Sequence, residues 1–356
     1  MRRFRRTLAA VAVAAVVVTG TAGWASGTSQ TPVTGPPPGS EEWRADRSLG
    51  RALPDPGTAA PGDVSEFFAG LTAAQRQRLL VRHPFVVGNL DGAPPALRYR
   101  ANALAPGGAA DGRQILAYDP RGRGQVAEVF GDLTRAGRVA VVVPGSDIDA
   151  GTFDRTREMA RSLYEAANDR AWDVPGSAAG HGPAGYDRAG KATGSVAVVA
   201  WAGYTTPVGV GVDAATGDLA EAGAERLARF TRGIAATGAA RPALFCHSYG
   251  SVVCGLAAQR AGATDIVAFG SPGMRADSVA DLRTDARVWA AKAPSDWISK
   301  VPHVRLAGLG HGTDPTAPEF GARRVPADDT EGHTGYFARG TSSLRAFASI
   351  ARGEAR

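Results

Sequence analysis

The sequence predicts an α/β fold, one mostly parallel sheet with helices on both faces. Two observations carry this. Runs such as VAVVV (139–143) and SVAVVAW (195–201) are apolar throughout rather than alternating, as strands covered on both faces must be. Between such runs stand segments of helical periodicity, the crossovers that parallel strands require.

Each element follows in order. Ser65–Val81 (SEFFAGLTAAQRQRLLV) sets Phe67, Phe68, Leu71, Leu79 and Leu80 broadly on one helical face. HPFVVGNLDGAPPALRYRAN reads as a turn-rich lead-in. QILAYD (114–119) and QVAEVFGD (125–132) flank a PRGRG turn and predict a hairpin. VAVVV is the third strand, 153–168 a helix, SVAVVAW the fourth strand and 220–234 the next helix. ALFCHS (243–248) is a strand that runs into a sharp turn, and SVVCGLAAQRA is the helix after it. DIVAFG (265–270) and RVWAA (287–291) are further strands, and 342–351 is a closing helix.

Outside this domain, expected over 64–356, the N-terminus divides into two parts. Residues 1–25 read as a signal peptide: MRRFRR, then a Val-rich apolar run, then Gly23-Trp24-Ala25 as the cleavage signal, so the chain is expected to be exported or cell-surface. The rival reading is an uncleaved membrane anchor. Residues 26–63, rich in Pro and Gly, read as a linker. Four arginines in the first six residues supply most of the net charge of +6, so nucleic acid is not an expected partner.

In doubly wound sheets the working residues lie on loops at the carboxyl ends of strands. Cys246-His247-Ser248-Tyr249-Gly250-Ser251 falls between a strand and a helix, where a nucleophilic serine forced into a tight turn needs small neighbours. Cys246, Gly250 and Ser251 meet that demand, with Cys in place of the usual first Gly. Ser271, in FGSPG, also follows a strand, but a bulky Phe holds the small position and no clear helix follows. A serine hydroxyl needs a base, and the base an orienting carboxylate, in the chain order Ser, acid, His. Asp296 follows the RVWAA strand, and His333 precedes the last helix. His303 and His311 are rival bases; Asp314, Asp328 and Asp329 are rival acids. The oxyanion of acyl transfer needs two backbone donors. Tyr249 N–H is one, and Ser146 N–H the other, with Gly145 its near alternative.

Cys246 and Cys254 are the chain's two cysteines. One ends the strand two residues before Ser248, and the other lies six residues after it, on the helical face turned toward that strand. A disulfide is geometrically open to them, and so is a pair of small buried thiols. No metal or cofactor is expected: the six histidines are scattered, and no HExxH, Cys/His ligand spacing, GxGxxG after a strand or P-loop occurs.

The stretches VVGNLDGAPPALRYRAN, VAVVVPGSD, VVAWAGYTTP, CHSYGS, AFGSPG, GTDPTAPEFGA and GHTGYF, in order over roughly 80–350, resemble a family of secreted bacterial α/β-hydrolases, chiefly actinobacterial, grouped as a domain of unknown function. The resemblance implies the α/β-hydrolase fold and supports Ser248, Asp296 and His333; it implies no substrate. Cys246 departs from the commoner Gly. Only 16 residues separate Gly270 from Arg287, too few for a large cap domain, so an open site suited to extended or cell-surface acyl substrates is expected, with the 203–218 loop as a wall. The expected function is a serine hydrolase, esterase or lipase-like. The alternatives are acyl transfer or peptide cleavage by the same residues, or a non-catalytic cell-surface binding protein.

Overall fold

The computed structural model describes residues 29–105, 107, 112–169 and 192–355, so the expected signal peptide lies outside the described residues. Among the described residues five helices precede the sheet: α1 (Ser40–Ala45), α2 (Pro61–Ala69), α3 (Ala73–Arg82), α4 (Pro84–Asn89) and α5 (Pro95–Leu104). The single helix expected over 65–81 is therefore two. The chain breaks at Gly70, and Thr72 starts afresh with a capping box, its side chain accepting from Gln75 N–H while Gln75 reaches back to Thr72 N–H. The lead-in expected to be turns contains α4 and α5, each with Pro at its first position, where the missing N–H has no partner to lose.

The linker reading of 26–63 is corrected over its described part. Trp43 is fully buried with Val64, Phe68, Leu79 and Val86 in an apolar cluster of its own. Asp46 holds the buried His83 ring at 2.8 Å, and Trp43 meets that ring edge-on. The layer is tied to the rest of the domain by polar contacts. Asn89 bonds both Tyr118 N–H and Tyr118 O, and the buried Asp91 carboxylate faces Arg98, Arg226 and Arg229.

The expected hairpin is present as β1 (Gln114–Asp119) and β2 (Gln125–Phe130). Next come β3 (Ala136–Val143), α6 (Asp154–Asn168), β4 (Ala192–Ala202), α7 (Val212–Ala215), α8 (Asp218–Ala236), β5 (Pro242–His247), α9 (Gly250–Ala257) and β6 (Asp265–Phe269). The chain continues through β7 (Gly273–Ala276), β8 (Arg287–Ala291), β9 (His311–Gly312), β10 (Arg323–Arg324) and α10 (Ser342–Arg352). The main sheet runs β1-β2-β4-β3-β5-β6-β8-β10, with β2 antiparallel to both neighbours and the other pairings parallel. Strands β7 and β9 form a separate parallel pair; they and β10 are too short to leave a periodic signal in sequence.

Helices cover both faces, as expected. Leu227 and Phe230 of α8 and Val252 and Val253 of α9 bury against one face; Met159 and Leu163 of α6 and Leu344 and Phe347 of α10 bury against the other. Every residue of β5 is buried, which places this strand at the centre of the sheet and its carboxyl end at the middle of one edge. No cap stands between β6 and β8; that interval holds β7 and a single 3₁₀ turn.

Candidate active site

The turn after β5 is held in an unusual backbone conformation. Ser248 has φ +52°, a left-handed value that costs a non-glycine residue about 1–3 kcal/mol and persists only where the surroundings fix it. Three hydrogen bonds do so here. Ser248 N–H donates to Phe269 O at 3.0 Å, and Ser248 O accepts from Ser251 N–H at 2.9 Å and from the Ser251 hydroxyl at 2.6 Å. Small neighbours are a steric necessity. A Cβ on Gly250 would lie 2.5 Å from Pro144 O, and one on Gly145 would lie 2.6 Å from Ser248 Cβ. Beneath the turn Cys246 and Cys254 are disulfide-bonded, their Cα atoms 6.4 Å apart, so strand and helix are joined covalently across the serine.

The loop after β8 presents Asp296, which is buried. Its Oδ1 accepts from Ile298 N–H at 2.9 Å, which starts a 3₁₀ turn, and from His333 Nδ1–H at 2.8 Å. Its Oδ2 accepts the Tyr336 hydroxyl at 2.7 Å, and that hydroxyl accepts Ala293 N–H at 2.9 Å. Burial pushes the Asp296 carboxyl upward, but the bonds from His333, Ile298 and Tyr336 outweigh it and hold the group below the usual carboxylate range. Asp296 is thus an anion at neutral pH, so His333 carries its proton on Nδ1 and leaves Nε2 as an acceptor. Gly270, at φ +54°, makes room for the pair, since a Cβ there would lie 3.0 Å from Asp296 Oδ2 and 3.1 Å from His333 Cε1.

His333 is held from two further sides. His247 Nε2–H donates to His333 O at 2.7 Å, with the two rings 4.6 Å apart. Burial drives His247 down to about 3, so it stays neutral and adds no charge beneath the site. On the outer side the Trp297 ring lies 4.6 Å from His333.

Ser248 and His333 face one cleft of about 110 Å³, walled also by Ser146, Met159, Val210 and Trp297. No hydrogen bond joins Ser248 Oγ to His333 among the described residues; the two meet as walls of this space. Ser146 lines the cleft, and neither its N–H nor that of Tyr249 donates to any described residue. Val210 brings the 203–218 loop to the cleft.

The rivals lie elsewhere. Ser271 is buried, its hydroxyl engaged with Ser251 and with Gly273 N–H. His311 bonds Ala214 O, and His303 faces Asp314 at 3.6 Å. Asp314 pairs with Lys292, Asp328 is exposed, and Asp329 caps α10 through Ser342. Sequence reasoning missed Tyr336, His247 and Trp297. Tyr336 offered one sign, an aromatic three residues after His333 in GHTGYF.

Comparison with known proteins adds relatives. Two Mycobacterium tuberculosis sequences, "Uncharacterized protein MT2140" (strain CDC 1551 / Oshkosh) and "Uncharacterized protein Rv2079" (strain ATCC 25618 / H37Rv), are each 28% identical to it over 392 residues, covering 85% of this chain and 57% of theirs. The chain thus spans little more than half the length of these curated relatives. Among solved structures, XC6422 from Xanthomonas campestris, described as an a/b serine hydrolase without lid, is 18% identical, with a TM-score of 0.35 over 65% of this chain and 89% of its own. The esterase domain of a Rhodothermus marinus protein is 12% identical, with a TM-score of 0.34 over 66% and 93%. A family model described as alpha/beta hydrolase matches residues 119–306, a stretch that opens at the end of β1 and takes in β2–β8, the serine turn and the Asp296 loop. With more than half its length so matched, the chain belongs to the alpha/beta hydrolase family.

Proposed function

We propose that this hydrolase is an exported serine esterase or lipase-like acyl hydrolase. Ser248 is the nucleophile, His333 the base and Asp296 the group that holds the base. The observation that carries the reading is the strained Ser248 turn opening into the same cleft as a histidine whose other nitrogen is bonded to a buried carboxylate. In this reading Ser248 Oγ attacks the acyl carbonyl as its proton passes to His333 Nε2. Asp296 stabilises the imidazolium that forms, and the proton then goes to the leaving alcohol. Water repeats the sequence on the acyl-enzyme. Ser146 N–H and Tyr249 N–H receive the oxyanion, and loss of one such donor commonly costs roughly 3 kcal/mol. Serine and base in such sites often close to bonding distance only with substrate in place. The disulfide supports export, since such bonds persist in oxidising compartments.

The test is hydrolysis of a series of p-nitrophenyl esters of graded acyl length by the purified chain and by its Ser248→Ala variant. Turnover by the wild type, lost in the variant with an unchanged circular dichroism spectrum, supports the reading. Equal turnover by both sinks it.

A further inference from the structure

Nine large apolar side chains are conspicuously exposed among the described residues, of which Val81 and Leu104 stand on α3 and α5, before the sheet. Three of the others, Val208, Val210 and Val212, follow one another on the loop that walls it. Val304, Leu306 and Leu309 stand on a hairpin closed by the Leu306–Leu309 bridge, and Trp297 stands beside His333 at the cleft itself. The hairpin and the valine loop are adjacent: Gly310 N–H donates to Ala215 O at 2.8 Å, and His311 bonds Ala214 O at 2.7 Å. The result is an apolar collar that starts at the cleft, with Val210 and Trp297, and continues along the valine loop to the adjoining hairpin, where scattered single side chains would be the ordinary pattern.

We propose that this collar is the face by which the protein docks on a lipid surface. Two further observations select a bilayer over a protein partner. The first described residues sit on the collar's own loop, where Asp213 accepts from the Ser29 hydroxyl and from Gln30 N–H, and the Gln30 amide donates to Thr206 O. The sequence just before them holds the apolar run headed by four arginines, so a chain anchored by that segment is tethered to the bilayer at this face. Lys300, in the same 3₁₀ turn as Trp297, and Arg305, next to Leu306 on the hairpin with one guanidinium nitrogen on Arg275 O, are exposed too and offer charge to anionic headgroups once the apolar side chains enter the interface. The docking stands apart from the acyl chemistry proposed for the cleft.

The native cysteines are bonded to each other, so a thiol introduced on the surface takes an environment-sensitive nitrobenzoxadiazole dye alone. The full chain is labelled in three variants, Val210→Cys, Leu306→Cys and, away from the collar, Val81→Cys. It is then mixed with phosphatidylcholine vesicles containing a minority of phosphatidylglycerol. The expected result is a blue shift and several-fold brightening at positions 210 and 306 with none at 81, abolished at 210 when Leu306→Asp and Leu309→Asp are added. Three results overturn the proposal. In one, the chain pellets with vesicles while the collar dyes stay unchanged, which is binding through the N-terminal segment alone. In the second, the change is equal at all three positions. In the third, the shift grows with protein concentration without vesicles, which puts a second copy on the collar.

Discussion

Replacing Tyr336 by Phe removes one oxygen and tests how the His–Asp pair is held. The ring is fully buried, and its hydroxyl both donates to Asp296 Oδ2 and accepts Ala293 N–H. Phe fills the same space but leaves a buried N–H and one carboxylate lobe without a partner. A hydrogen bond to a charged group contributes about 1.5–3 kcal/mol, and an orphaned buried N–H costs about 1–3 kcal/mol, so with partial relaxation the loss is roughly 3 kcal/mol. For a domain of this size that lowers the melting temperature by roughly 5–10 °C. Asp296 also loses one of the donors that offset burial, so its folded pKa rises. The sign follows. Ionised Asp296 stabilises the fold above its unfolded pKa of about 3.9, and that contribution disappears as pH falls through the folded value. Raising the folded value starts the acid loss at higher pH. If about 1.4 kcal/mol of the lost support is felt at the transition state, kcat and kcat/KM fall together by about tenfold. Urea unfolding at neutral and acid pH, run beside ester kinetics, measures all of this. Wild-type stability in the variant refutes the packing argument. Lost stability with unchanged kcat refutes the link from Tyr336 through Asp296 to His333.

Two further predictions rest on close contacts and on burial. Gly145→Ala places a methyl 2.6 Å from Ser248 Cβ and should lower turnover by roughly 100-fold or more through misplacement of the proposed nucleophile, with thermal unfolding little changed; near-normal kcat would show that the turn yields freely. His247, held down to about 3, binds its proton in the unfolded chain first, so stability should fall as pH drops below about 6.5 and continue falling toward 3. The loss from this one group by about pH 4 is about 3 kcal/mol, and His311, lowered to about 4, adds in the same direction. A His247→Asn variant should show a flatter acid limb in urea titrations, and an unchanged slope would contradict the assignment.

Much of the fold was legible because its signals are local. An apolar strand buried on both faces, a hairpin turn and a serine between strand and helix each write themselves into a few adjacent residues. The pairing of Asp296 with His333 was reached through chain order and loop position, although the two stand 37 positions apart with no periodic mark to join them. What stayed hidden depends on distant partners. Residues 29–63 carry too few apolar side chains to look folded, yet Trp43 finds its cluster, and Asp46 its histidine, 37 positions away. Tyr336 looks like an ordinary core aromatic until its hydroxyl meets a carboxylate 40 residues earlier. His247 reads as the last residue of a strand, and only the fold sets its ring beneath His333.

The central claim is that Ser248 is the activated nucleophile. Its most direct test is a fluorophosphonate probe on the intact chain, with the modified peptide mapped by mass spectrometry. The account predicts a single adduct on Ser248, absent from Ser248→Ala, formed several powers of ten more slowly by His333→Ala, and retained by Ser271→Ala. An adduct on Ser271, or labelling whose rate does not depend on His333, would contradict it.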